Sequence, residues 1–160
     1  DEEKVINMMV TQFNKVFNDT LQKLLGKTNL TRHELVTLAS IVELEAKEEN
    51  ELATIAGVFL KRMSLNRRLE SCATVEFALG RHKKRLTNQD LRVKSPYNTY
   101  RHSGLPPGPI GSPGRLALWS SLNPEATDFL YFVARGDGSH IFSRTNREHE
   151  LAKRRIRSSK

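Results

Sequence analysis

The sequence predicts an α+β fold dominated by helices, and three observations carry that prediction. Several stretches repeat apolar residues at helical spacing behind recognisable caps. One pair of aromatic and β-branched runs near the C-terminal end is separated by a Gly/Asp turn and reads as a hairpin. Between them lies SPYNTYRHSGLPPGPIGSPG, Ser95 to Gly114, which fits neither period. At 160 residues the chain is sized for one domain with a sizeable core.

Residues 2–25 form the first expected helix, with Val5, Met8, Met9, Phe13, Val16, Phe17, Leu21 and Leu24 mostly on one packing face and Gly26 as its stop. A second helix opens on a capping box, Thr31 with Glu34, and runs through TRHELVTLASIVELEAK. A third spans Glu51 to Met63, and a short one is expected within 69–80. Arg81–Arg85 reads as an exposed basic run, and Thr87–Asp90 as one more turn. After the Pro/Gly segment, Ser112 can cap a helix with Pro113 at its first position, ending before Asn123-Pro124. Phe129–Val133 and His140–Ser143 are the strands, and Thr145 to Glu148 caps a last helix whose tail, KRRIRSSK, is expected to fray.

The net charge of +8 implies anionic partners: nucleic acid, lipid headgroups or wall polymers. No nucleic-acid reader motif accompanies the charge, so nucleic acid is not the expected partner. Cys72 is the only cysteine. It excludes an internal disulfide and a cysteine-based zinc site, and it reads as a small buried hydrophobe. The five histidines show no paired ligand spacing, so neither a metal nor a cofactor is expected. The chain opens on a charged helical run without a signal peptide or long apolar stretch, so any anchor is expected outside this sequence.

Two features point to chemistry. Fixed φ at the prolines, free φ at the glycines, and Tyr, Asn, His and Arg hung between them make Ser95–Gly114 read as the wall of a site. Within LASIVELEA, Glu43 and Glu45 fall on opposite flanks of the stripe formed by Leu35, Leu38, Ala39, Val42 and Ala46. A carboxyl at the edge of an apolar face is partly desolvated, which raises its pKa and suits a general acid. Spacing does not choose between the two acids.

In order along the chain, TLASIVELEA, GVFLKRM, LESCATVEFALG, SPYNTYRHSGLPPGPIGSPG and SLNPEATDFLYFVARGDGSHIFS, followed by a terminal helix with Glu148-His149, resemble the MltG (YceG-like) family of endolytic murein transglycosylases. The resemblance spans roughly residues 29–155 and implies a lysozyme-like helical catalytic domain over 29–160, with residues 1–28 as a lead-in helix. It implies a lyase that cuts the β-1,4 bond between N-acetylmuramic acid and N-acetylglucosamine in peptidoglycan and leaves 1,6-anhydro ends, terminating nascent strands. It assigns the proton chemistry to Glu43, a supporting role to Glu45, and the substrate wall to Tyr97, Asn98, Thr99, Tyr100, Leu105, Pro106, Pro107 and Gly108, with Ser71 and Thr74 nearby. Many members carry Asp where this chain has Cys72, so no role transfers to that position. The resemblance further implies peptidoglycan strands as substrate, wall-synthesis enzymes as partners, and a place outside the cytoplasmic membrane. A membrane helix and a LysM-like module of full-length members are not in this sequence. The competing reading is a catalytically silent peptidoglycan-binding or scaffold module.

Overall fold

The computed structural model describes residues 1–83 and 85–158; Lys84 of the basic run and Ser159-Lys160 of the tail lie outside them. Its elements are α1 (Glu2–Val16), α2 (Asp19–Leu25), α3 (Arg32–Glu45), α4 (Leu52–Ser64), α5 (Cys72–Leu79), α6 (Arg115–Leu122), β1 (Tyr131–Ala134), β2 (His140–Ser143) and α7 (Asn146–Ser158). The helix-dominated α+β expectation therefore holds. None of the described helices is long and apolar enough to cross a membrane.

The expected single helix over 2–25 is two. The chain breaks at Phe17-Asn18, where the Asn18 side chain accepts from the Thr20 and Leu21 amides and caps a new start. Apolar periodicity continues across the break, which is why it hides in the sequence. The packing face also fails over its first turns. Val5, Met8 and Met9 are exposed, and only Phe17 and Leu21 are fully buried.

The centre is α3, α4 and α6. Leu35, Leu38, Ala39, Ile41 and Val42 of α3 meet Ile55, Ala56 and Phe59 of α4 and Ala117, Leu118 and Leu122 of α6 in one buried cluster that also takes in Phe17 and Leu21. The capping box of Thr31 and Glu34 forms as expected and sets where α3 begins. Gly57 lets α4 approach the 124–127 loop: a Cβ there would run into the Glu125 carbonyl. Arg62, charged but buried on the inner face of α4, donates from Nε to Leu130 O (2.6 Å) and from one terminal nitrogen to Arg68 O, Leu69 O and a Glu70 carboxylate oxygen. One planar cation thus fastens α4 to the 68–70 loop and to the entry of the hairpin.

In the antiparallel hairpin Tyr131 faces Ser143 and Ala134 faces His140. The first strand starts two residues later than expected; Phe129 instead packs its ring on Phe142 at 5.7 Å. α6 also begins later than expected. Gly114, not Ser112, is its N-cap, and Pro113 lies outside the helix.

Candidate active site

The last turn of α3 carries both acids. Positions two apart differ by about 200° around a helix, so Glu43 and Glu45 leave on different sides, as the pattern implied. Glu45 accepts from the Ser71 hydroxyl and from the Ala73 amide (3.1 Å), at the N-terminal end of α5. A carboxylate there is favoured by the unpaired amides and the helix dipole. Glu43 accepts from the Gly114 amide (2.8 Å), immediately before α6. Each acid thus closes the start of another helix.

They open on different hollows. Glu45 lines a cleft of about 560 Å³ between the end of α3, the start of α5, Tyr100, β1 and α7, with Tyr131, Phe132, His149 and Lys153 on its walls. Glu43 lines a smaller hollow of about 310 Å³ with Lys47, Glu48, Glu49, Gly114, Arg115 and Leu116. Glu43 is exposed rather than tucked against the apolar edge of its helix. Arg62 pairs with Glu70 rather than with either acid.

Several residues expected on the substrate wall are instead inside it. Asn98 is 0% exposed. Its amide nitrogen donates to Leu91 O and Val93 O, and its oxygen accepts from the Tyr100 amide. Thr99, Ser71 and Thr74 are likewise buried and interlock. Thr99 Oγ1 accepts from the Ser71 amide (3.0 Å) and lies 2.8 Å from Thr74 Oγ1. These four side chains are consumed by contacts inside the protein, Asn98 by backbone groups and Ser71, Thr74 and Thr99 by backbone, one another and the Glu45 carboxylate, and they leave no polar atom for a sugar. They fix α5 to the Pro/Gly segment, and α5 fixes Glu45.

The remaining wall residues divide. Pro106 and Gly108 are buried, Leu105 is half-buried against the core, and Pro107 is exposed with its carbonyl 2.7 Å from His33 Nε2. Tyr97 is half-buried with its ring tilted against Phe77 at 4.7 Å. Tyr100 reaches the larger cleft, with its hydroxyl 3.4 Å from Cys72 Sγ. Burial pushes the Tyr100 phenol well above its ordinary value, and the neighbouring thiol adds to the effect. Cys72 is exposed at the cleft rim, not buried as expected, although the protein around its sulfur still pushes the thiol up.

The sequence reading did not single out Gly114, Arg115, Tyr131 or Lys153. Tyr131 is held by the Arg67 guanidinium at its hydroxyl (2.6 Å) and by His149 stacked on its ring at 5.2 Å. Burial holds the His149 imidazole below its ordinary value, and Lys153 adds to this. A sequence signal for the Tyr131–His149 cluster is the charged Arg62 on an otherwise apolar helix face, whose guanidinium lies 5.1 Å from the centre of the Tyr131 ring.

Fold and site together define a helix-dominated α+β domain in which one buried helix delivers two carboxylates to two separate surface hollows. The sequence model of the YceG-like family matches residues 1–155. An endolytic murein transglycosylase of Bacillus subtilis (strain 168) is 39% identical over 158 residues, covering 99% of this chain and 44% of that protein. One from Streptococcus pneumoniae serotype 2 is 34% identical over 151 residues, covering 91% of this chain and 27% of that protein. The crystal structure of a YceG-like protein from Listeria monocytogenes superposes with a TM-score of 0.90 at 39% identity, covering 95% of this chain and 50% of that one. The chain belongs to the YceG-like family. It spans less than half the length of these curated relatives.

Proposed function

We propose that this chain is the catalytic part of a lytic transglycosylase that cuts peptidoglycan strands internally. The observation that carries this is Glu43: an exposed carboxyl in the ASIVE motif, at the end of a rigid buried helix, with one oxygen held by the Gly114 amide. In this reading Glu43 protonates the oxygen that leaves as the C1–O4 bond breaks. The muramic acid C6 hydroxyl attacks C1, forming the C1–O6 bond, and its proton returns to Glu43. Atoms balance without water, and one carboxyl serves as acid and then base, unlike the two-carboxylate arrangement of most glycosidases. The names of the relatives support the substrate and the reaction class. The net charge of +8 suits an anionic wall polymer. With that substrate the enzyme works outside the cytoplasmic membrane, releasing nascent strands beside the enzymes that make them.

A second assignment has its own observation. Glu45, not Glu43, lies in the larger cleft with Tyr100 and Tyr131. Digestion of purified peptidoglycan by wild type, Glu43→Gln and Glu45→Gln, with mass spectrometry of the products, separates the two. Glu43→Gln is expected to lose about a hundredfold or more in the rate of anhydro-end formation, and Glu45→Gln less. The reverse order moves the proton chemistry to Glu45. Wild type that binds peptidoglycan but yields no anhydro ends is a silent binding module.

A further inference from the structure

The Pro/Gly segment is laid along α3 by three contacts in order. His33 Nε2 lies 2.7 Å from Pro107 O. The fully buried Ser40 hydroxyl accepts from the Ile110 amide at 3.0 Å and donates to Thr37 O. Glu43 Oε1 accepts from the Gly114 amide at 2.8 Å. The first two contacts fix the height of the loop against the helix, and the third ends on the carboxylate.

Glycine at 114 has no conformational reason, because its φ is −76° and its ψ 175°, open to any residue. Its reason is space: a Cβ there would stand 3.1 Å from Glu43 Oε1. Among the described residues Oε2 of Glu43 has no hydrogen-bond partner. We infer that Gly114 is the positioning residue of Glu43. Its amide fixes one carboxylate oxygen, its missing side chain makes room for that oxygen, and the other oxygen is left to exchange the proton with substrate. The inference rests on assigning the proton chemistry to Glu43. The charged groups sharing that hollow are Lys47, Glu48, Glu49 and Arg115.

Two measurements test it on the intact chain. In the first, the Gly114 amide resonance is followed by NMR from pH 7 downward in wild type and in Glu43→Gln. An amide bonded to a titrating carboxylate moves with that titration, so the expected result is a titrating shift in wild type that vanishes in Glu43→Gln. A Gly114 resonance that stays flat in wild type, or that titrates equally in both, overturns the contact. In the second, Gly114→Ala is assayed on peptidoglycan beside Gly26→Ala, a glycine in a helix end away from the site. Displacing the carboxyl by a few tenths of an ångström is expected to lower kcat about tenfold in Gly114→Ala with KM within about twofold of wild type, and Gly26→Ala to match wild type. Unchanged kcat in a folded Gly114→Ala overturns the positioning role. If wild type itself forms no anhydro ends, the functional reading falls while the NMR result still decides the contact.

Discussion

Asn98 shows what a single residue can hide. In sequence it stands among tyrosines in a stiff, decorated loop, where an amide reads as a sugar ligand. In the fold its amide nitrogen serves two loop carbonyls and its oxygen a third backbone group. Residue type alone cannot separate these cases, because the same donors and acceptors suit a sugar or a neighbouring peptide. Asn98→Ala would strand the partly buried carbonyls of Leu91 and Val93, at a cost of up to about 1–3 kcal/mol each. The expected result is a lower midpoint in thermal melts, with any loss of turnover following the loss of folded protein. A variant that melts like wild type yet binds peptidoglycan poorly would restore the direct role. Glu43 stands out in the sequence for a different reason: it lies in the last turn of a buried helix, and a motif marks it. Asp90 makes a second residue-scale case. The Lys83 ammonium at 2.6 Å, with the Thr87 amide and hydroxyl both at 2.7 Å, holds its carboxyl well below the usual carboxylate range. A carboxyl so lowered stabilises the fold above its unfolded value near 4, and the contribution is lost as pH falls below that. Asp90→Asn should therefore lower the melting temperature at pH 7, and the gap to wild type should narrow as the melts are repeated below about pH 4. A gap that stays constant with pH would remove Asp90 from the acid response.

Among the elements, α4 depends on one glycine. Gly57 sits where the helix passes the 124–127 loop, and a methyl group there meets a backbone carbonyl that the Glu125–Ala53 hydrogen bond (3.0 Å) holds in place. Backbone cannot swing aside as a flexible side chain can. Gly57→Ala should therefore destabilise by about 1–3 kcal/mol or more, against the slight gain that alanine usually brings to a helix interior. Denaturant unfolding measures it, and a neutral or stabilising result would show that the loop yields. Elements with local signals are legible: the Thr31/Glu34 box and the His140–Ser143 run lie where structure has them. The misreadings share a physical cause. The break at Asn18 is set by a cap that periodicity does not see, and the start of α6 at Arg115 follows a Gly114 whose amide is held by Glu43, 71 residues away. No local pattern contains such a partner. Nor does one reveal that Ser71, Thr74 and Thr99 are spent on each other, since that knot joins segments 25 to 28 residues apart.

Across the whole molecule, stability is concentrated in the α3–α4–α6 centre, with α2 attached to it and α1 nearly free of it. The gradient of burial along the first 25 residues shows this. Val5, Ile6, Met8, Met9 and Val10 are 51–64% exposed, Phe13 and Val16 are partly covered, and Phe17 and Leu21 are sealed in the common core. Hydrophobic stabilisation scales with the apolar area removed from water, so the first three turns of α1 contribute little. Helical propensity offsets little of this, because a helix without tertiary partners is marginal at this length. Deleting residues 1–12 retains Phe13 and its stack on Phe17 at 5.6 Å, so the core keeps its edge. The shortened chain should melt within about 4 °C of the full one, a shift of roughly 1 kcal/mol at this size. Losing five exposed apolar side chains should also make it less prone to associate. Removing residues 1–25 instead deletes Phe17 and Leu21 from the cluster, which should cost several kcal/mol by large-to-nothing core loss. Melts of both truncations in parallel give the test. If the 1–12 deletion destabilises as much as the 1–25 deletion, α1 is bound to the domain by more than its buried surface, and the gradient of burial does not measure its contribution.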